Sequence, residues 1–287
     1  MKIYIVIPVH NRKALTKDCL QSLQQQSDEN FEIVVIDDGS TDGTGEMIRQ
    51  QFPDVVLLQG DGNLWWVGAV NEGIRHVLDI CNPDDYILLL NDDLIVPQNC
   101  ISQFRKLAST FPNTLIGSVV VDINDRDIVA KGGVRINWIT AKHHKLNQGK
   151  VLSSFPEGFY VEVSFLTGRG VLIPSKVFRD VGLYKAHYVQ CGDPELTVRA
   201  AKAGYRLIVS YDAVVFSYPA DKDHINSKTE YRLSDLATYF GDIRSHFHLR
   251  TKFWFAYDTA SSLPQGMVYY VCDVARIVHH FMRRLRL

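Results

Sequence analysis

The sequence lacks the features that mark several common protein classes. Its five cysteines are scattered without a C-x-x-C pair, and no histidine cluster has zinc spacing, so neither a disulfide framework nor a zinc site is predicted. No apolar run approaches the ~18 to 20 residues that span a bilayer, and strand-like residues begin at Ile3 without a charged leader. These absences favour a reducing cytosolic compartment, with any membrane association being peripheral.

An excess of charge of one sign is also missing. The 287 residues carry 31 basic and 32 acidic side chains, and 46% of them are hydrophobic. This composition excludes a disordered chain, argues against a nucleic-acid-binding protein, and allows one large α/β domain with an appendage. There is no Gly-rich phosphate loop near the first strand and no G-x-G-x-x-G motif there, which argues against a nucleotidyltransferase and a dinucleotide oxidoreductase.

The N-terminal third alternates strand and helix patterns, which predicts a parallel sheet with helices on both faces. The expected strands cover residues 3–8, 32–36, 55–58 and 86–90, and the expected helices cover 14–25, 42–52 and 67–80.

Polar segments follow all four of these strands, at residues 10–12, 37–39, 61–63 and 91–93. Ligands of such sheets bind at the carboxyl ends of the strands, so the four segments are expected to line one edge. The last of them, Asn91-Asp92-Asp93, directly follows a buried apolar run, at a position that suits hard cations and phosphates. The sequence therefore predicts metal-assisted chemistry on a phosphorylated substrate.

The stretches VIPVHNR (6–12) and DDGSTDGT (37–44) resemble the N-terminal motifs of inverting family-2 glycosyltransferases. The alternative is an ordinary strand-to-helix turn, although turn chemistry does not require two consecutive aspartates at a buried strand end. The resemblance, which extends to bacterial polysaccharide and rhamnosyltransferase-like members, implies a Rossmann-like GT-A fold with a mostly parallel sheet. It implies nucleotide contacts from Pro8, His10, Asn11, Arg12, Asp37 and Asp38.

The segment from residue 60 to 73 resembles the Gly- and Asn-rich turn and helix that follow in the family. Small residues let a base or ribose approach the backbone, and an indole can stack on a planar ring. The alternative for the tryptophans is a place in the core. The resemblance implies nucleotide-site roles for Asn63, Trp66, Gly68 and Asn71.

The group Asn91-Asp92-Asp93 corresponds to the family's D-x-D motif, with Asn in the first place. The resemblance implies Asp93 as a ligand of Mn(II) or Mg(II), and Asn91 or Asp92 facing the ribose or donor sugar. His224 is the nearest candidate for the histidine that many members supply to the metal. The alternatives are an Asp-rich turn that caps the following helix, and a solvated loop histidine.

Two later motifs concern the transferred sugar and the acceptor. The segment TGRGVLIP (167–174) resembles the family's G-x-x-x-L-I-P segment, which implies contacts from Thr167, Gly168 and Arg169 with donor sugar or acceptor; a strand bulge is the alternative. The segment CGDPELTVRA (191–200) resembles E-D-x-E-L-x-x-R, with Gly192, a further sugar-site candidate, replacing Glu. Asp193 is then the catalytic base, although Asp before Pro also suits a helix N-cap, and both roles are compatible. Glu195 and Arg199 are spaced to pair on the helix surface.

The middle and end of the chain carry weaker patterns. Strands are expected at 115–121, 160–166, 205–209 and 213–216, and the polar stretch 142–150 is expected to be a solvated loop or hairpin with His143 and His144 on the surface. In the last helix, the apolar residues Met267, Val271, Val274, Val278, Phe281 and Leu285 oppose a basic side without acids after Asp273. This pattern suits an anionic membrane surface and a lipid-linked acceptor, with a packing or dimer helix as the alternative.

These motifs predict an α/β catalytic domain over residues 1–245, with a nucleotide-binding half (1–93) and an acceptor half (94–245), and a C-terminal helical extension (246–287). The expected activity is an inverting, metal-dependent transfer from a UDP- or dTDP-sugar to a glycan or lipid-linked oligosaccharide in cell-surface polysaccharide synthesis. The expected location is the cytoplasm or the inner face of the plasma membrane, with a homodimer as a further option. The alternative is a catalytically silent saccharide-binding or scaffolding subunit, which the replacements at Asn91 and Gly192 keep open.

Overall fold

The computed structural model describes residues 1–218, 225 and 228–286, so the candidate metal ligand His224 lies outside the described residues. The predicted alternation of the N-terminal third is confirmed, with boundaries within two residues of those expected. Its elements are β1 (Ile3–Val9), α1 (Lys13–Gln24), β2 (Phe31–Asp37), α2 (Thr44–Gln51), β3 (Val56–Gln59), α3 (Trp65–Ile80) and β4 (Tyr86–Leu89).

The second half continues the same sheet with strands of both directions. Its elements are β5 (Leu94–Ile95), α4 (Cys100–Thr110), β6 (Thr114–Asp122), β7 (Asp125–Lys131), β8 (Val134–Asn137), β9 (Lys142–Lys145), β10 (Tyr160–Glu162), β11 (Val171–Pro174), α5 (Ser175–Val181), α6 (Asp193–Lys202) and β12 (Arg206–Ser217).

Two predictions for this half are wrong in detail. The expected strand 160–166 stops at Glu162: Val163 still donates to Leu207 of β12, but Ser164 and Phe165 pair with Val134 of β8 instead. The two expected strands 205–209 and 213–216 are one strand, β12, because a register shift between Ser210 and Val214 absorbs the irregularity without ending the ladder to β6.

The sheet order is β10-β12-β6-β11-β4-β1-β2-β3. The pairs β1–β2, β2–β3, β1–β4 and β6–β12 are parallel, whereas β11 lies antiparallel between β4 and β6. Because β11 runs in the opposite direction, the residues just before it lie at the carboxyl end of β4. The segment 167–170 is therefore placed beside Asn91-Asp92-Asp93.

Both faces of the sheet are buried, as expected for parallel strands covered by helices. In β1, Tyr4 and Val6 face one apolar cluster while Ile5 and Ile7 face the other, and all four are at most 4% exposed. Burial of each such side chain stabilises the fold by about 1.5–3 kcal/mol. The strand ends that carry the polar segments are thus fixed by a rigid core.

Three α-helices follow the sheet among the described residues: α7 (Leu236–Gly241), α8 (Leu249–Thr259) and α9 (Leu263–Arg283). The expected apolar stripe of α9 is divided between two faces. Phe281 packs inward with Tyr269 and Ile277, whereas Met267 and Val271 are 70% and 64% exposed. A helix can be apolar on its packing face and on its outer face at once, and hydrophobic spacing does not separate the two. Within the described ranges, no helix is long and apolar enough to cross a membrane.

Candidate active site

The loops after β1 and β2 form one bonded unit at the carboxyl edge of the sheet. Nδ1 of His10 lies 2.5 Å from the carbonyl oxygen of Asp38. The amide of Asn11 donates to Oγ of Ser40, and Oδ1 of Asn11 accepts from the amide of Thr41 at 2.7 Å. Pro8 lies at the end of β1, where β1 pairs with β2. The structure therefore brings these predicted nucleotide-site residues together.

The adjacent aspartates hold the turns that lead away from β2 and β3. Asp38 is buried and accepts from the amides of Gly62, Leu64 and Trp65 at 2.9 to 3.2 Å. Asp37 accepts from the amide of Ser40 at 3.0 Å. A carboxylate that accepts several backbone N–H groups fixes its loop firmly. Asp38 thus positions the turn that starts α3.

The residues predicted on the turn and first part of α3 have different surroundings. Trp66 donates its indole N–H to Oδ1 of Asn91 at 3.2 Å, so it joins α3 to the end of β4. Asn71 is buried, and both polar atoms of its amide bond the backbone of Tyr184, so it supports the acceptor half. Asn63 is exposed, and its backbone amide donates to Asp61. A methyl group on Gly68 would contact the side chain of Leu64, the residue just before α3.

Two arginines compensate the negative charges of Asp92 and Asp93. Arg12 donates to Oδ1 of Asp92 at 2.6 Å, and Arg169 bonds both carboxylate oxygens of Asp93, at 3.3 and 3.1 Å. Arg169 is held by Oγ of Ser217 at 2.6 Å. Burial raises the pKa of Asp92 to about 6, although the Arg12 cation lowers it in part. Two carboxylates and two guanidinium groups thus meet at the end of β4.

The two carboxylates of this group are the candidate ligands of a divalent cation. Carboxylate oxygens suit Mn(II) and Mg(II), and Oδ2 of Asp92 is buried without a hydrogen-bond partner among the described residues. Each oxygen of Asp93 also keeps a lone pair beyond its bond to Arg169. No cluster of three or more His, Cys, Asp or Glu side chains occurs in the described part of the chain, so further ligands would come from the substrate and water.

Asp193, the predicted base, is the first residue of α6. The prediction that it caps the helix through its side chain is wrong: Gly192 is the N-cap, and no side-chain cap bond forms. Among the described residues, Oδ1 of Asp193 is buried without a hydrogen-bond partner. Burial raises the pKa of this carboxyl to about 6, while the Gly168 amide and the Lys131 cation oppose the rise. A carboxylate that has one oxygen without a partner and a pKa near neutrality suits a general base.

Two glycines let the backbone pass close to this base. A methyl group on Gly168 would lie 2.7 Å from Cζ2 of Trp66 and 3.1 Å from Oδ1 of Asp193. A methyl group on Gly192 would lie 2.8 Å from Cδ1 of Tyr184. The tyrosine ring therefore explains why Gly replaces the family's Glu at position 192. Thr167, the last predicted sugar contact, lies half-buried beside Gly168.

The pair Glu195–Arg199 forms as its spacing predicts, but the prediction of a surface location is wrong. Glu195 is fully buried, and Arg199 bonds both of its carboxylate oxygens, at 2.8 and 3.0 Å. Arg199 also donates to backbone carbonyls of residues 181 and 183. The pair thus fixes the segment that leads to Asp193, and its burial could not be inferred from helix spacing.

Further contacts of this region were missed or misjudged from the sequence. Asp258 of α8 accepts from Lys185, His187 and Tyr188 at 2.6 to 2.9 Å, which joins the C-terminal helices to the segment that leads to Asp193.

His143 is half-buried, with its Nε2 2.9 Å from the Tyr269 hydroxyl, so its predicted surface position is wrong. The buried side of α9 passes under the hairpin at this point. His144 is exposed, as predicted.

Lys131 also belongs to this site and was not predicted. It is exposed, yet it lies within the electrostatic reach of Arg169, Asp93, Asp193 and Lys145. Although its side chain keeps contact with solvent, desolvation by the surrounding protein and the neighbouring cations lower its pKa to about 8. The signal that could have found it is a run of 29 residues, 128–156, that contains no acidic side chain.

The mixed sheet flanked by helices, with an acidic segment at the end of β4, is the architecture of GT-A glycosyltransferases. Residues 4–161 match the family described as Glycosyl transferase family 2, and the chain belongs to this family of glycosyltransferases. It is 26% identical to the N-acetylglucosaminyl-diphospho-decaprenol L-rhamnosyltransferase of Mycobacterium tuberculosis, over 70% of this chain and 71% of that protein. It is 28% identical to the poly(ribitol-phosphate) beta-glucosyltransferase of Bacillus spizizenii, over 45% of this chain and 20% of that protein.

Solved structures share the fold at low identity. The mannosyltransferase PcManGT from Pyrobaculum calidifontis, in complex with GDP-Man and Mn2+, superposes with a TM-score of 0.61 at 16% identity, covering 100% of this chain and 76% of that chain. S. aureus TarS 1-349 in complex with UDP-GlcNAc gives 0.59 at 14% identity, covering 99% and 72%. This chain spans only 43% of the longer S. aureus TarS chain and 54% of GalNAc-T7.

Proposed function

We propose that this glycosyltransferase is inverting and metal-assisted, and that it moves a sugar from a nucleoside diphosphate to a hydroxyl of a glycan or lipid-linked oligosaccharide in cell-surface polysaccharide synthesis. The observation that carries the proposal is Oδ1 of Asp193, a buried carboxylate oxygen without a partner among the described residues. The carboxylate takes the proton of the acceptor hydroxyl as its oxygen attacks the anomeric carbon. Inversion follows because the attack comes from the face opposite the nucleotide.

The donor diphosphate is assigned to the group at the end of β4. Asp93 and Asp92 would hold Mn(II) or Mg(II), which when bound neutralises negative charge on the leaving diphosphate. Arg12 and Arg169 add fixed cations at the same place. The Mn2+ in complexes of GalNAc-T7 and PcManGT supports a divalent cation here. His224 remains a proposed further ligand, and Tyr218, six residues before it, donates its amide to the carbonyl of Asp93.

The nucleotide and sugar are assigned to the polar loops of the first three strands and to the segment before β11. His10, Asn11 and Asp37 lie on the bonded loops where the base and ribose would be held. Gly168 packs so closely against Trp66 and Asp193 that a side chain would not fit there, and the donor sugar is assigned to the outer side of this segment, next to the base. Asn71 is not retained as a nucleotide contact, because both of its polar atoms bond the backbone of Tyr184.

A membrane surface is proposed for the C-terminal helices. Exposed apolar side chains of α8 and α9 form one patch, and exposed basic side chains of α9 border it. The apolar members are Phe253, Tyr257, Leu263, Met267, Val268, Val271, Val278 and Met282, and the basic members are Arg276, His279 and Arg283. An apolar face with a cationic border suits an anionic bilayer, where a lipid-linked acceptor would be found. The location proposed is the inner face of the cytoplasmic membrane.

The test of the membrane surface is a sedimentation assay with anionic liposomes. Met267→Glu combined with Val271→Glu should release the full-length protein from the vesicles, because two charges enter the apolar face. Arg49→Glu, an exposed change on α2, is the matched control for added negative charge. Equal sedimentation of all three proteins would contradict the proposal and leave the dimer helix as the alternative.

The test of the transfer reaction is a calorimetric and hydrolysis screen of UDP-, dTDP- and GDP-sugars with and without Mn(II). Asp193→Ala should bind the donor almost normally but lower transfer by about two to four orders of magnitude, the range of a general base. Asp93→Ala should remove the metal dependence of nucleotide binding. Full transfer by Asp193→Ala would exclude it as the base. Donor binding without any turnover by the wild type would favour a silent saccharide-binding subunit.

A further inference from the structure

The segment between β7 and β10 has an unusual charge composition. Residues 128–156 contain five Lys or Arg side chains and two histidines, and no Asp or Glu, in a chain whose net charge is −1. The segment includes the end of β7 and the β8–β9 hairpin. A run of one sign within an otherwise balanced chain raises the local positive potential.

Backbone pairing fixes the positions of two lysines of this segment near residues 167–170. Lys131 lies opposite Val120 of β6, two residues after Ser118, whose hydroxyl donates to the carbonyl of Arg169 at 2.8 Å. Lys145 lies opposite Val134, which in turn bridges Phe165, two residues before the sugar-site segment 167–170. These pairings, in the main sheet for Lys131 and in the separate β8–β9 hairpin for Lys145, place both residues close to the segment that leads to β11.

Neither ammonium group forms an ion pair with a described residue. In the described residues, no carboxylate comes within ion-pair distance of Lys131 or Lys145, although both side chains are exposed. Lys131 interacts electrostatically with Lys145 and with both Asp93 and Asp193. Two accessible cations that repel each other and lack fixed partners are stabilised by a bound anion.

We propose that Lys131 and Lys145 form an anion subsite on the acceptor side of the cleft, which binds a phosphate group of the acceptor. The proposal rests on the proposed function, because it assumes that Asp193 marks the acceptor side. The donor diphosphate already has Arg12, Arg169 and the metal at the end of β4. A second phosphate site next to the base orients the acceptor hydroxyl toward the anomeric carbon.

A phosphate on the acceptor has two chemical sources, a prenyl phosphate and a phosphorylated sugar alcohol of a polymer. The test is isothermal titration of the full-length protein with geranyl phosphate in one arm and ribitol 5-phosphate in the other. The nucleoside diphosphate found in the donor screen is held at saturation with Mn(II), so that the donor site is filled. The arm that binds identifies the source.

The subsite predicts that Lys131→Gln and Lys145→Gln each raise the Kd of the bound phosphate about tenfold, the usual loss for a charge-assisted hydrogen bond. Lys131→Arg should retain phosphate binding, because it keeps the positive charge, and this result would separate an effect of charge from an effect of side-chain packing. Lys150→Gln is the matched control, because it removes one exposed cation of the same segment and should change the Kd by about twofold or less. Equal losses in all three Gln variants would reduce the effect to net charge and overturn the subsite.

Absence of binding in both arms, or binding that saturating nucleotide abolishes, would also overturn it. The failure of the proposed function is distinguishable from these outcomes. If no nucleotide-sugar binds in the donor screen, the transfer proposal fails, and phosphate binding is then measured on the free protein. If a donor binds and neither phosphate does, only the subsite fails.

Discussion

The rate of sugar transfer should fall on the acidic side with the pKa of Asp193. A general base works only as the carboxylate, so kcat/KM follows its deprotonated fraction in the free enzyme. Burial raises the pKa of Asp193 from 3.8 to about 6, although the Gly168 amide, Lys131, Tyr184 and Arg169 all act to lower it. The acidic limb is therefore expected well above the range of an ordinary aspartate.

The expected size of the effect follows directly from that pKa. At pH 5, only about a tenth of a carboxyl with a pKa of about 6 is ionised, so kcat/KM should be about tenfold below its value at pH 7.5. An ordinary aspartate would still be about nine-tenths ionised at pH 5. The assay is initial-rate transfer from pH 4.5 to 8.5, at constant ionic strength and saturating Mn(II).

Protonation of Asp92 would produce the same fall in kcat/KM at acidic pH, because burial raises its pKa to about 6 as well. The two carboxyls depend on different cations, and this separates them. Lys131→Gln removes a cation that lowers the pKa of Asp193, so it should move the limb to higher pH, whereas Arg12→Gln should raise the pKa of Asp92. A limb near pH 4, or one that moves only with Arg12→Gln, would refute the assignment of the base.

Three further predictions concern stability, metal binding and room in the cleft. Because the folded pKa of Asp193 is raised, its charge costs stability progressively above about pH 3.8 and fully above about pH 6. Asp193→Asn should therefore raise the melting temperature at pH 7.5 by roughly 2–5 °C, from about 1–3 kcal/mol. Arg169→Gln removes the guanidinium that bonds both carboxylate oxygens of Asp93. In the absence of nucleotide it should therefore lower the Kd of Mn(II) about fivefold or more, as measured by electron paramagnetic resonance of free Mn(II). Gly168→Ala sets a methyl group against an indole and should lower kcat at least tenfold with little change in nucleotide affinity.

Each of these predictions has a matched control. The stabilisation by Asp193→Asn should disappear below about pH 3.8, where the wild-type carboxyl is neutral in both states; a gain that persists there has another cause. Arg12→Gln should change Mn(II) binding less than Arg169→Gln, because Arg12 approaches Asp93 only to 3.9 Å. Gly241→Ala, where the methyl group meets open space, should leave kcat unchanged.

The N-terminal half of the fold could be predicted because its signals are local. Apolar runs such as 86–90 end at polar segments, and strands of one parallel sheet present their carboxyl ends at one edge. The helix pattern between these runs determined the strand direction. The convergence of His10, Asp38 and Asp93 therefore required no knowledge of distant contacts.

The parts that could not be predicted depend on contacts between distant segments. Arg169 meets Asp93 because β11 runs antiparallel between two parallel strands, and sequence spacing does not reveal that direction. Gly192 replaces the family's Glu, and the ring of Tyr184, a tertiary neighbour, leaves no space for a side chain at this position. In α9, hydrophobic spacing did not separate the packing residue Phe281 from the exposed Met267.

The charges of the site connect metal binding to nucleotide binding. Asp92 and Asp93 are already paired with Arg12 and Arg169, so a cation that arrives alone gains little additional attraction. A diphosphate that arrives alone brings at least two negative charges to a nearly neutral group and competes with the carboxylates for the two arginines. A divalent cation with its diphosphate restores the balance, since the metal compensates the added charge. We therefore expect the nucleotide and metal each to bind weakly alone and tightly together, so that Arg169, which restrains Asp93, makes metal occupancy depend on the donor.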